Sequence, residues 1–190
     1  MTTHSVIIRN EKYDGDCKFE TSSFELSDFQ KWAIDAFENG KNVLITAHTG
    51  SGKTYPAEHA IMKSVLMGKK IIYTSPIKSL SNQKFNDFQN KFKYASVGIL
   101  TGDIKYNPEG NVLIMTTEIL RNLVLYIHQN PIHHNCCLSL YNWKYSSYNS
   151  FFSDSPSKIE RQEVVSWFGD LENFIHLHSI KNINFNQPNL

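Results

Sequence analysis

Eight residues constrain this chain more than any other stretch: Ala47-His48-Thr49-Gly50-Ser51-Gly52-Lys53-Thr54. They follow the apolar run Val43-Leu44-Ile45, precede a helical pattern from Ala57 to Met67, and fit G-x-x-x-x-G-K-[ST] with Ala47 in place of the first glycine. A buried strand, a glycine-rich loop and a helix N-terminus in that order make a phosphate cradle. Glycine accepts the backbone angles that turn several N–H groups inward, and the helix end leaves donors without intrahelical partners. The pattern puts Lys53 at the terminal phosphates and the Thr54 hydroxyl in a magnesium shell. The alternative is a turn that shares only the spelling, and the strand, loop and helix in sequence argue against it.

With 190 residues, 41% apolar content and a net charge of +1, the chain suits one globular domain with a sizeable core. It carries no apolar run near twenty residues and no secretory leader, so the expectation is a soluble, intracellular protein without membrane contact. Cys17 stands alone and Cys136-Cys137 are adjacent, a poor disulfide framework that also lacks C-x-x-C spacing.

Residues 1–23 offer one short apolar run, Val6-Ile7-Ile8, then turn formers around Asp14-Gly15-Asp16, and read as a leader strand or loose arm. A helix is expected from Ser27, a good N-cap, with Phe29, Ala33 and Phe37 on one side. Gln30 on that helix could present its amide, donor and acceptor at once, to a nucleotide base. Spacing alone favours a solvated glutamine.

Further strand-like runs are Lys70 to Thr74, Val97 to Leu100 and Val112 to Met115, with a helix between from about Lys78 to Phe92. Each run ends in small polar residues: Ser75-Pro76, Thr101-Gly102-Asp103 and Thr116-Thr117-Glu118. Apolar strands alternating with helices predict an α/β fold, a parallel sheet with helices on both faces and ligands at the strands' carboxyl ends. Those ends could hold a nucleic-acid backbone without reading its sequence. Taken singly they read equally as N-caps and turns. Between Phe24 and Tyr126 twelve Lys or Arg face nine Asp or Glu, a surplus that a solvated surface explains as well.

Taken together, Phe24-Glu-Leu-Ser-Asp-Phe-Gln-Lys-Trp-Ala-Ile34, the loop Ala47 to Thr54, Thr74-Ser-Pro-Ile-Lys-Ser-Leu-Ser-Asn-Gln-Lys84, Leu100-Thr-Gly-Asp103 and Met115-Thr-Thr-Glu-Ile-Leu-Arg121 resemble the Ski-like DExH-box RNA helicases of superfamily two. These are ATP-driven helicases that assist the RNA exosome. The resemblance covers residues 24–126, the first part of a RecA-like P-loop domain, and in that group alanine commonly opens the phosphate loop, as Ala47 does here. It implies that Gln30 contacts adenine and that Ala47, His48, Thr49, Gly50, Ser51, Gly52, Lys53 and Thr54 hold ATP and magnesium, Lys53 and Thr54 being the catalytic members. It implies that Pro76, Lys78, Thr101, Gly102 and Thr116 lie along single-stranded RNA, read independently of sequence, and that RNA-processing proteins are partners. Glu118 is expected as a first-turn carboxylate stabilised by its helix dipole.

The family next shows Asp-Glu-x-His, whose aspartate holds magnesium and whose glutamate positions water. No such motif occurs in these 190 residues, and the nearest imitation, Val164 to Glu172 with Asp170, is broken by serine and glycine. A second RecA-like domain, source of arginines for the transferring phosphate, does not fit in the length either, so the main electrostatic terms of hydrolysis are missing. The expectation is a fragmentary helicase that binds ATP and RNA, or a nucleotide- and RNA-binding module without hydrolysis.

Residues 127–190 turn to Asn, Ser, Tyr and His and match no family pattern. His128, His133, His134, Cys136 and Cys137 cluster in sequence, but adjacent pairs rarely aim both members at one ion. The aromatics of 141–155 read as packing or disordered. Ser157-Lys158-Ile159-Glu160 spells a capping box, and Val164, Trp167, Phe168, Leu171 and Ile175 recur at helical spacing, interrupted by Gly169. After Ile180 the end is expected to fray. The organisation expected is therefore an arm at 1–23, a partial domain at 24–126 and a divergent tail at 127–190.

Overall fold

A computed structural model describes residues 6–16, 18 and 24–180. The expectations for the chain after Ile180, for Cys17 and for 19–23 lie outside these residues. The chain divides into two compact units, Met1–Ile71 and Ile72–Leu190.

The first unit is built on two helices, α1 (Asp28–Glu38) and α2 (Thr54–Leu66). Extended Ser27 is the N-cap of α1, and its backbone N–H donates to Gln30 Oε1 at 3.0 Å, the returning half of a capping box. Leu26, Ala33, Ile34 and Ile61 are buried. Glu38, ending α1, accepts from His59 Nε2 at 2.9 Å and pairs with Lys63, both on α2. Burial holds the His59 pKa below its ordinary value, so at neutral pH that contact is a hydrogen bond from a neutral imidazole.

Among its described residues the arm forms no strand and is not loose throughout. Val6, Ile7 and Ile8 are unpaired and exposed, yet Arg9 lies over the Trp32 ring and Tyr13 meets its edge. The Tyr13 backbone N–H donates to Asp28 Oδ1 at 3.0 Å, docking the arm on α1.

Val43-Leu44-Ile45 also departs from expectation: residues 41–48 form no strand, and Leu44 is 89% exposed. An isolated apolar run becomes a strand only by pairing, and every strand among the described residues lies from Ile71 onward. The phosphate-loop spelling is thus entered from a segment without regular secondary structure.

The second unit holds an open four-stranded sheet, β1 (Ile71–Ser75), β2 (Val97–Leu100), β3 (Lys105–Tyr106) and β4 (Val112–Thr116), in the order β1-β4-β2-β3. β1 begins on the last residue of the first unit. β2 and β4 run parallel, Val97 beside Val112 and Leu100 beside Met115. β3, which the apolar runs did not announce, pairs antiparallel with β2. Helices α3 (Lys78–Lys91) and α4 (Thr117–His133) pack on it, around Phe88, Ile99, Val112, Ile114 and Met115. This is the open α/β sheet with helices expected of an incomplete RecA-like domain. At Gly98 a Cβ would stand 2.0 Å from the Asn107 carbonyl oxygen, so β3 can approach β2 only where that side chain is missing.

α4 crosses positions 126 and 127 without a break and builds a second core with the residues after it. Leu125, Leu140, Tyr148, Phe168 and Phe174 are buried together, drawn from α4, two 3-10 turns (Leu140–Asn142 and Tyr148–Phe152) and α6 (Leu171–Ser179), with Phe168 between α5 (Arg161–Ser166) and α6. Gly169, at φ +94°, ends the first helix, and the Asp170 carboxylate caps the second by accepting from Asn173 N at 2.7 Å. The restart rephases the stripe: Phe174 and His178 are buried, while the expected Leu171 and Ile175 are more than a third exposed. Ser157 opens no helix; its hydroxyl accepts from Ile159 N within a turn, and α5 is capped at Glu160.

Within this core His128 Nδ1 lies 2.8 Å from His178 Nε2, His128 Nε2 lies 2.7 Å from Ser147 Oγ, and His178 Nδ1 lies 2.7 Å from the Phe174 carbonyl. The carbonyl can only accept, so His178 carries its proton on Nδ1, His128 donates to His178, and Ser147 donates to His128. Burial, joined at His128 by the neighbouring His178, pushes both histidines down to about 4. Both are neutral at pH 7. Among the described residues no group of three or more His, Cys, Asp or Glu could hold a metal ion, and no helix is long and apolar enough to cross a membrane.

Candidate functional site

The phosphate-loop residues lie between α1 and α2 in the first unit. Gly50 and Gly52 take φ of +85° and +83°, a region open to glycine and strained for other residues. Lys53 stands at the N-cap of α2 and turns its ammonium back, donating to the carbonyls of Ala47 and His48 at 2.6 Å each. Ser51 N–H donates to His48 O at 3.3 Å, and Tyr55 N–H to Gly52 O at 3.1 Å. The loop is therefore cross-linked by its own lysine. Thr54, half-buried, opens α2, whose first turn carries no acidic residue.

Gln30 belongs to this arrangement and is not a solvated side chain. It is 6% exposed; Oε1 accepts from Ser27 N and Nε2 donates to Gly52 O at 2.9 Å. One amide thus caps α1 and grips the loop twenty-two residues on.

The loop fits an anion. His48, Thr49 and Gly50 are exposed, nothing lies within 4 Å of where a Gly50 Cβ would stand, and the buried Ser51 hydroxyl has no hydrogen-bond partner. That orphan oxygen beside a lysine held only by carbonyls suits a phosphate better than a closed turn.

In the second unit the strand ends separate into two kinds. Pro76, Lys78 and Gly102 are exposed, Lys78 as the first residue of α3. Thr101 and Thr116 are 2% and 5% exposed. Thr101 Oγ1 accepts from Ile104 N at 3.2 Å, and Thr116 is the N-cap of α4, with Glu118 in the first turn. Thr117 Oγ1 donates to Ser75 O at 3.5 Å, fastening α4 to the end of β1. The spacing gave no sign of Asp103, whose Oδ2 lies 2.6 Å from Lys78 Nζ; the partners are twenty-five residues apart.

The sequence matches the DEAD/DEAH box helicase family over residues 27–139, a span that begins at the α1 cap and runs past the end of α4. The chain belongs to that family. Among relatives, it is 52% identical over 101 residues to "Antiviral helicase SKI2" of Saccharomyces cerevisiae, covering 53% of this chain and 8% of the yeast protein. It is 52% identical over 102 residues to "Superkiller complex protein 2" of Homo sapiens, covering 54% and 8%. It is 48% identical over 100 residues to "DExH-box ATP-dependent RNA helicase DExH9" of Arabidopsis thaliana, covering 53% and 10%. The chain thus spans about a tenth of the length of these curated relatives, and its likeness is to Ski2-like DExH helicases. Family membership extends through the half of α4 that supports the tail core. Asp170, in the nearest imitation of the missing motif, serves as the N-cap of α6.

Proposed function

We propose that this DEAD/DEAH box helicase segment binds magnesium-ATP through Gln30 and the loop Ala47 to Thr54, and single-stranded RNA through the strand ends at Pro76, Lys78, Thr101, Gly102 and Thr116, without turning ATP over. The observation that supports the nucleotide half is the Gln30 to Gly52 hydrogen bond beside a lysine folded onto its own loop. On this reading Gly50 to Thr54 would hold the phosphates, Lys53 would trade the Ala47 and His48 carbonyls for phosphate oxygens, and Thr54 would offer its hydroxyl to magnesium. ATP would supply the polyanion these donors suit. Pro76, Lys78 and Gly102 are the exposed members of the RNA set, and Thr101 and Thr116 hold the strand ends that present them. Partners on this reading are single-stranded RNA, without sequence preference, and RNA-processing proteins. Hydrolysis is not part of it: no Asp-Glu-x-His occurs in the sequence to orient water.

The test is a melting series with magnesium-ATP on the chain and on Lys53→Ala. A ligand at a hundredfold excess over its Kd stabilises by about 2.7 kcal/mol, so the native chain should melt higher and the variant should not move. RNA-stimulated phosphate release should stay at the Lys53→Ala level. An ATP-independent melting point would sink the nucleotide reading, and clear RNA-stimulated turnover would sink the account of the missing carboxylates. The identity to much longer helicases favours a second reading, a piece of a complete enzyme. A downstream Asp-Glu-x-His in the coding nucleic acid would decide for it.

A further inference from the structure

We infer that Asp103 is a built-in competitor of RNA, occupying on the Lys78 ammonium the position a backbone phosphate would take. The inference rests on the reading of Lys78 as an RNA contact. Asp103 sits in the turn between β2 and β3, which is fixed from both sides: Thr101 N–H donates to Ile104 O at 2.9 Å, and Ile104 N–H donates to Thr101 Oγ1 at 3.2 Å. Thr101 is buried, so the turn cannot drift. A Cβ on Gly102 would stand 3.4 Å from Lys78 Nζ, which places the ammonium over the turn, and Asp103 Oδ2 closes on it at 2.6 Å. Both side chains of the pair are more than half exposed. A carboxylate oxygen and a phosphate oxygen are equivalent acceptors for an ammonium, so RNA must displace Asp103, and the released carboxylate then faces the phosphate that displaced it. Asp103 therefore lowers affinity and cancels the charge that Lys78 would otherwise contribute.

An exposed pair is worth up to about 1 kcal/mol, so Asp103→Asn should tighten binding about threefold to fivefold. The probe is a fluorescein-labelled uridine decamer, titrated by anisotropy against the full chain over a salt series. Freeing Lys78 adds one effective phosphate contact, so the slope of log affinity against log salt should steepen by about 0.7. Asp103→Glu should behave as the native chain. In a Lys78→Gln background, Asp103→Asn removes only the repulsion between carboxylate and phosphate, so it should tighten binding less than in the native background and leave the slope unchanged. Equal tightening in both backgrounds would assign the effect to general charge and overturn the inference; so would no tightening where the native chain binds and Lys78→Gln weakens it. If neither the native chain nor any variant binds the decamer, the RNA reading itself falls, and the competitor with it.

Discussion

His128 Nδ1 donates to His178 Nε2 across 2.8 Å, joining α4 to α6 through two imidazoles fifty residues apart. Both are buried, at 2% and 4% exposed, with pKa values pushed from 6.5 to about 4. Between those pH values the unfolded chain binds protons that the folded chain refuses, so stability rises with pH across the window, is complete above 6.5 and is lost as pH falls toward 4. The loss should reach about 3 kcal/mol per histidine, read from urea midpoints at a series of pH values. Imidazole proton shifts should show His128 and His178 still neutral at pH 6. Titration of these two near 6.5 would refute the burial account.

The grip of Gln30 on the loop predicts an ordered set of costs. Gly50→Ala meets no atom within 4 Å and carries only the strain of φ +85°, about 1 kcal/mol. Gly52→Ala adds a Cβ 2.6 Å from Gln30 Nε2 at φ +83°, and should cost about 2 kcal/mol or more. Gln30→Ala removes a cap and a buried hydrogen bond, about 1 to 2 kcal/mol. In the double variant the collision disappears, so its cost should fall short of the two single costs added. Strict additivity in denaturant unfolding would mean that Gln30 and Gly52 do not touch.

Gly98→Ala tests the mixed edge of the sheet. The added carbon would stand 2.0 Å from a backbone oxygen of Asn107, which cannot rotate away as a side chain can. The expected cost is about 2 kcal/mol or more, with faster amide exchange at Tyr106 as β3 leaves β2. A change under about 0.5 kcal/mol would show that β3 is not paired as described.

Phe174 and Leu171 separate the register of α6. Phe174 is 0% exposed against 41% for Leu171, so Phe174→Ala should cost about 3 to 5 kcal/mol and Leu171→Ala under about 1. Reversed magnitudes, in thermal or denaturant unfolding, would restore an unbroken helix through Gly169.

Legibility in the sequence tracked the range of the interaction. The strands at 71–75, 97–100 and 112–116 and the helix starts at Asp28 and Lys78 announce themselves because apolar runs, caps and polar strand ends are local signals. Val43-Leu44-Ile45 carries the same signal and forms no strand, since pairing is supplied from elsewhere in the chain. The Phe174 core is obscured by a single glycine that resets the helical phase. Gln30 with Gly52, Lys78 with Asp103 and His128 with His178 join residues 22, 25 and 50 positions apart, which no periodicity encodes.

α4 begins at the end of β4 and finishes inside the aromatic core. The stretch with helicase relatives and the tail beyond it therefore share one continuous helix, Thr117–His133, as a splint. A cut between Tyr126 and Ile127 would divide that helix and strip Leu125 of its covering. The divergent tail is better treated as the far end of the domain than as an appendage to be trimmed, and a shortened chain intended to keep the sheet would have to carry the core of Phe174 with it.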